Sequence, residues 1–159
     1  MRKNASLADP FDEVVKGMSQ RRTALVHGDY SPKNLLVDGA QVVVLDFEVT
    51  HWGDPRFDLA FCLCHLVLKA QRTGADRSAF RTAVEAVLVG YGESGPHIVD
   101  RDLWSVLACL LLARLEGDSP VEYLHELNAS RVKQLAVHML LAKDLSFDEH
   151  LDELLTDPE

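Results

Sequence analysis

Long apolar runs are missing from this sequence. The best candidate, Leu59 to Leu68, is interrupted by His65 and is too short to cross a bilayer. The N-terminus, Met1-Arg2-Lys3-Asn4-Ala5-Ser6, lacks the apolar centre of a secretory signal. Cysteine is scarce. Three in 159 residues, an odd number, argue against a disulfide framework and for a reducing, cytoplasmic setting. Cys62 and Cys64 stand two apart in a predicted helix and point to different sides, so they read as small buried hydrophobes. Positive charge is in deficit. Sixteen Lys and Arg against 25 Asp and Glu give a formal charge of −9, which argues against binding a nucleic-acid backbone. Seven of the acids lie between Asp144 and Glu159 and read as a solvated face, although an acidic rim also favours a cationic substrate. No repeat, low-complexity tract or linker divides the chain. His65, His125, His138 and His150 share no ligand spacing and read as packing or surface residues.

What is present is a core. Hydrophobic residues make up 47% of the chain, enough for one packed domain over 1–159. Asp9-Pro10 is expected to cap a first helix, followed by a stripe of Phe11, Val14, Val15 and Met18. Thr23 to Val26 is a short apolar run. Leu35-Leu36-Val37 and Val42 to Leu45 flank Asp38-Gly39 and read as a β-hairpin, with glycine supplying positive φ. Asp54-Pro55 opens a helix over 56–72 that is apolar on nearly every side, hence buried, and Gly74 closes it. Asp76 opens the next helix, which Gly92, Gly95 and Pro96 stop. Asp100 caps another through Leu115, ended by Gly117. Trp104 lies on its apolar face and reads as core. Ser119-Pro120-Val121-Glu122 reads as a capping box for a helix to about Leu127, followed by a helix from Ser130 to Asp144. Ser146 begins a second capping box and a short terminal helix. The expected class is α+β, mostly α, with a polar-looped hairpin packed on a helical bundle.

The chemistry concentrates at the hairpin. His27-Gly28-Asp29, then Asn34, then Asp46-Phe47-Glu48 place an acid, an amide and a second acid at spacings of five and twelve residues. A hydroxyl is a poor nucleophile until a base orients it and takes its proton, and Asp29 on a loop after a strand suits that task. Mg²⁺ prefers a few hard oxygen ligands and keeps waters, so Asn34 and Asp46 suffice beside a nucleotide's phosphates. The ends of a hairpin lie together, which brings Asn34 and Asp46 close.

His27-Gly28-Asp29-Tyr30-Ser31-Pro32-Lys33-Asn34, Leu45-Asp46-Phe47-Glu48 and Gly53-Asp54-Pro55-Arg56-Phe57-Asp58-Leu59-Ala60 together resemble the aminoglycoside phosphotransferase and choline kinase superfamily. The three motifs fall in order within residues 25–61, and the helical region 55–155 is compatible with that family. The resemblance implies a protein-kinase-like C-terminal lobe that moves the γ-phosphoryl group of ATP to a substrate hydroxyl with Mg²⁺. The motifs do not decide between ATP and GTP. It implies Asp29 as catalytic base and Asn34 and Asp46 as Mg²⁺ and nucleotide ligands. It also implies Asp58 as a brace accepting backbone hydrogen bonds from the catalytic loop, and His27 as a structural member of that loop.

Other residues are less defined. Ser31 stands where protein kinases carry a phosphate-neutralising lysine, and Lys33 is out of that register. Glu48 reads either as a metal or substrate contact or as a surface charge. Asp54 reads as a helix cap. His51, Trp52 and Arg56 are candidates to face substrate, Trp52 being more typical of packing. Arg114, Glu116 and Asp118, at a helix end, are candidates for the acceptor pocket. Relatives phosphorylate aminoglycosides, choline-like amines, macrolides, sugars and amino-alcohols; the acidic charge leans towards a cationic acceptor.

Only 26 residues precede His27, and none forms a phosphate-covering glycine loop. The N-terminal nucleotide lobe of the family is therefore not expected in this chain. One expectation is a phosphotransferase whose nucleotide lobe is absent because the chain is a fragment, a truncated reading frame or one half of a split enzyme. The alternative is an inactive binding or regulatory module derived from such an enzyme. A third, weaker reading is a metal-dependent hydrolase built on His27, Asp29, Asp46 and His51. An open lobe face near Asp29 and Asp46 would be apolar and predicts self-association or a partner lobe.

Overall fold

A computed structural model gives the fold and describes residues 5–94, 97–117, 120–141 and 147–155. The elements in chain order are α1 (Ala5–Gln20), β1 (Ala24–Val26), β2 (Leu35–Asp38), β3 (Gln41–Val44), β4 (His51–Gly53), α2 (Arg56–Ala70), α3 (Arg77–Ser94), α4 (Arg101–Glu116), α5 (Ala129–Leu141) and α6 (Phe147–Leu155). Two 3₁₀ turns, Pro32–Asn34 and Leu124–Glu126, complete it. The class is α+β and mostly helical, as expected. No described helix is long and apolar enough to cross a membrane.

α2 is the axis of the core. Leu59, Ala60, Cys62, Leu63, Cys64, Val67 and Leu68 are all buried, which a helix with apolar residues around its whole circumference requires. α3 and α4 pack beside it, α5 packs on α4, α1 lies across α4 and α5, and α6 touches α2, α3 and α5. Trp104 is buried, as its helical face predicts. The three cysteines are free and buried, and burial pushes the Cys64 thiol up to about 12, so they are inert.

Two helix starts follow their sequence signals. The Asp76 carboxylate accepts from the Ala79 N–H and the Ser78 hydroxyl, and the Asp100 carboxylate accepts from the Leu103 N–H. Three expectations are corrected. α1 begins by Ala5, so Pro10 lies inside the helix, not at its first position. No helix fills 120–127; Val121 and Tyr123 lead into a single 3₁₀ turn. There Arg72 pairs with Leu127 as an isolated bridge and its guanidinium meets Glu126 at 2.7 Å. These tertiary contacts override the local cap signal. Third, the hairpin stands off the bundle. Leu36, Val37, Val42 and Val43 are more than half exposed. Gly95, Pro96, Asp118, Ser119, Asp144 and Ser146 lie outside the described residues.

The strands form two separate antiparallel pairs. β2 and β3 make the expected hairpin, registering Leu35 with Val44 and Asp38 with Gln41, and Gly39 has the positive φ (57°) of its turn. β1 pairs with β4, Leu25 opposite Trp52 and Val26 opposite His51. This second pair closes the ends of the motif region onto each other.

Candidate active site

The site is the loop between β1 and β2. β1 delivers the chain with Val26 fully buried, so the next residues emerge at a fixed point beside α2. Gly28 turns the chain with φ 85°, a region open to glycine, and passes close to Val49. Asp58, in the first turn of α2, holds this turn from below. Its Oδ2 accepts from the His27 N–H at 2.6 Å and its Oδ1 from the Gly28 N–H at 2.9 Å.

His27 is buried, and both ring nitrogens are occupied. Nε2 donates to the Leu45 carbonyl at 2.8 Å, and Nδ1 accepts from the Asp29 N–H at 3.2 Å. The ring packs on Phe47, centroids 4.9 Å apart. With one nitrogen donating and the other accepting, His27 ties the loop to the hairpin and has no lone pair left for a metal or proton. The hydrolase reading loses a ligand here. Among the described residues no group of three His, Cys, Asp or Glu is placed to hold a metal ion.

Asp29 is gripped from two sides. The Asn34 Nδ2 donates to its Oδ2 at 2.9 Å and to its carbonyl at 2.8 Å, and the Lys33 ammonium meets Oδ2 at 3.0 Å. Burial pushes the carboxyl up, but the Lys33 and Asn34 hydrogen bonds and the Lys33 charge outweigh it, so its pKa lies below the ordinary value. It is an ionised acceptor at neutral pH. Lys33 thus acts on Asp29, four residues back, as a 3₁₀ turn permits.

Asn34 is buried and ends that turn. Its N–H bonds the Ser31 carbonyl at 2.9 Å, and its own carbonyl accepts from the Leu45 N–H at 2.9 Å. This bond extends the hairpin ladder by one step and sets Asn34 across from Leu45, next to Asp46. With Nδ2 directed at Asp29, the amide oxygen is left for another partner. Asp46 is exposed and has φ 67°, the left-handed region that non-glycine residues rarely adopt. Glu48 is exposed on the following segment. Ser31 is buried, and its hydroxyl has no hydrogen-bond partner.

Other expected contributors lie elsewhere. Arg56 is engaged by Asp54 at 3.1 Å and Asp100 at 2.5 Å, tying the start of α2 to the cap of α4 rather than facing substrate. Asp54 is buried and accepts from the Arg56 N–H, a capping role. Trp52 is 63% exposed, so it is no packing residue. Arg114 stands over the Phe61 ring at 5.2 Å, and Glu116 pairs with Lys133 on the surface. Sequence reasoning missed β4 and the surroundings of His65. Phe57, Phe61 and His65 recur every fourth residue, and that spacing alone could have revealed an aromatic ladder on α2.

The sequence profile of the phosphotransferase enzyme family matches residues 5–100, from α1 to the cap of α4. No curated protein matches the chain.

Proposed function

Because the chain belongs to the phosphotransferase enzyme family, the aminoglycoside phosphotransferase and choline kinase superfamily, we propose that it is the catalytic lobe of a small-molecule kinase. In this reading it takes the γ-phosphoryl group from ATP with Mg²⁺ and gives it to a substrate hydroxyl. One observation carries the proposal: a single carboxylate, Asp58, fixes the loop backbone while Asn34 and Lys33 fix the Asp29 side chain upon it. Such double restraint holds one carboxylate in one orientation, which is what positioning a weak nucleophile demands.

The donor set fits Mg²⁺. An amide oxygen at Asn34 and an exposed carboxylate at Asp46 are hard ligands, and they come from the two ends of one hairpin. Mg²⁺ bound there would neutralise charge on the transferring phosphoryl group. Asp29 accepts the hydrogen bond of the acceptor hydroxyl and orients its oxygen. Its lowered pKa makes it an orienting acceptor first and a proton acceptor only as the new bond forms. Lys33 keeps that carboxylate ionised, and His27 keeps Leu45, hence Asp46, at its station.

The test uses Mn²⁺ as a paramagnetic substitute. In the ¹⁵N-labelled chain, Mn²⁺ with ADP is expected to broaden the Asn34 side-chain amide and the Asp46 backbone amide before others. Asp46→Ala is expected to abolish the effect. Broadening confined to the C-terminal acids would overturn the proposal and leave a binding module.

A further inference from the structure

A groove of about 650 Å³ lies between α1 and α4, bounded also by β4 and the first turn of α2. Sites that hold small organic ligands span about 300–1,000 Å³. Phe11, Val15 and Met18 of α1, Trp52 of β4, Phe57 of α2 and Leu110 of α4 line it. Asp29, Asn34 and Asp46 do not, so the groove is separate from the candidate active site. Its origin is visible in the sequence, because the apolar stripe of α1 is wider than the core it meets. Phe11 and Met18 pack against the core, whereas Val15 is 47% exposed and Trp52 63% exposed. Apolar side chains left open around a concavity mark a place where something binds. The lining of α1 extends from Phe11 to Ser19, eight residues or about 12 Å of helix, a reach that suits an extended chain rather than a single ring.

The charge at the groove selects the occupant. Asp54 lines it, but its carboxylate is held by Arg56 at 3.1 Å and faces Arg21 at 3.7 Å. His51 Nδ1 donates to the Val49 carbonyl at 3.0 Å, and the Ser19 hydroxyl donates to the Lys16 carbonyl at 2.8 Å. Arg22 also lines the groove, just past the end of α1. Its Nε donates to the Ser19 carbonyl at 3.4 Å, and its guanidinium meets no carboxylate among the described residues. The Gly17 and Met18 carbonyls accept from the Arg21 N–H, so the negative end of α1 is partly satisfied beside it. In a chain of net charge −9, an anion is held best where a cation lacks an acid of its own, and a planar guanidinium matches a carboxylate with two parallel bonds. We propose that this groove binds a medium-chain carboxylate, an elongated amphipathic anion. Its chain lies along α1 against Phe11, Val15, Trp52 and Phe57, and its carboxylate meets Arg22. The site stands independently of the kinase reading.

The experiment titrates the ¹⁵N-labelled full chain with decanoate, decanol and decyltrimethylammonium, each below the concentration at which it self-associates. It follows the indole N–H signals of Trp52 and Trp104. Decanoate is expected to shift the Trp52 signal saturably and to leave that of the buried Trp104 in place. Decanol is expected to bind about tenfold more weakly, the loss of one charge-assisted pair, and the cation more weakly still. Arg22→Gln, at an exposed position, should bring decanoate to the level of decanol and leave decanol unchanged. Val15→Glu, which sets a carboxylate on the apolar lining, should abolish decanoate binding. No saturable shift, equal half-saturation for the three probes, or an Arg22→Gln variant that binds decanoate as the parent does overturns the proposal. Shifts confined to the exposed hairpin amides of Val42 and Val43 overturn it too. Mg-ATP has no part in this titration, so its outcome leaves the kinase reading untouched.

Discussion

Asp58 grips two successive backbone N–H groups from 31 and 30 residues away, His27 through Oδ2 at 2.6 Å and Gly28 through Oδ1 at 2.9 Å. Both oxygens of the side chain act as acceptors. In Asp58→Asn one position becomes an NH₂ facing an N–H donor. Charge-assisted bonds of this kind contribute about 1.5–3 kcal/mol each, so the variant is expected to lose about 2 kcal/mol or more of stability. The helices should remain, because the core of α2 lies beyond its first turn. Urea midpoints together with the amide signals of His27 and Gly28 check this. Unchanged signals would show that the clamp is dispensable.

Gly28 and Gly39 separate two effects of glycine. Both have positive φ, 85° and 57°, but a β-carbon on Gly28 would stand 2.9 Å from the Val49 carbonyl oxygen, whereas one on Gly39 meets nothing within 4 Å. Gly39→Ala is expected to cost about 1 kcal/mol, the conformational penalty alone. Gly28→Ala should cost at least about twice that and displace the segment leading to His51. Equal costs in denaturant titrations would contradict the close approach.

Asp46 carries its carboxylate on a left-handed backbone, φ 67°. Asp46→Gly removes the carboxylate and relieves the backbone, whereas Asp46→Ala removes only the carboxylate. The glycine variant is expected to be more stable than the alanine variant by about 1 kcal/mol. Thermal unfolding of the two variants decides. A more stable alanine variant would mean that the left-handed conformation is not held in solution.

His65 gives a pH signature. Its pKa falls from 6.5 to about 4 on folding, chiefly through burial. Between those values the unfolded chain binds the proton and the folded chain does not. This contribution therefore makes stability fall as pH drops from about 6.5 to about 4 and level off below. Because the ring is partly open to water, the slope is expected well under the limiting value of about 1.4 kcal/mol per pH unit. His65→Phe should lack this component, so the variant should gain stability relative to the parent as pH falls over that window. A constant difference in urea titrations from pH 7 to 4 would contradict it.

Much of this was legible in the residues. The hairpin announced itself through two short apolar runs around Asp38-Gly39, and α2 through its continuous apolar sequence. Asp76 and Asp100 marked helix starts because capping is a local interaction. The loop that carries Asp29 was legible as a motif, and the family resemblance implied Asp58, at the start of α2, as its brace. What stayed hidden depends on partners distant in sequence. β1 and β4 are three residues each, too short to show a period, and they form only because each finds the other. The proposed helix over 120–127 gave way to contacts with Arg72 that no local signal encodes. Arg56 looked available for substrate until Asp100, 44 residues later, was seen to engage it. The left-handed backbone of Asp46 has only a weak sequence signature, since Asp enters that region more readily than most non-glycine residues.

In the proposed function, Asn34 and Asp46 form a metal–phosphate site served by Asp29. The most direct measurement is a calorimetric titration of the chain with Mg-ATP, run in parallel on Asp46→Ala. Saturable, Mg²⁺-dependent binding is expected for the parent chain and none for the variant. Equal binding by both, or no binding by the parent up to millimolar nucleotide, would contradict it.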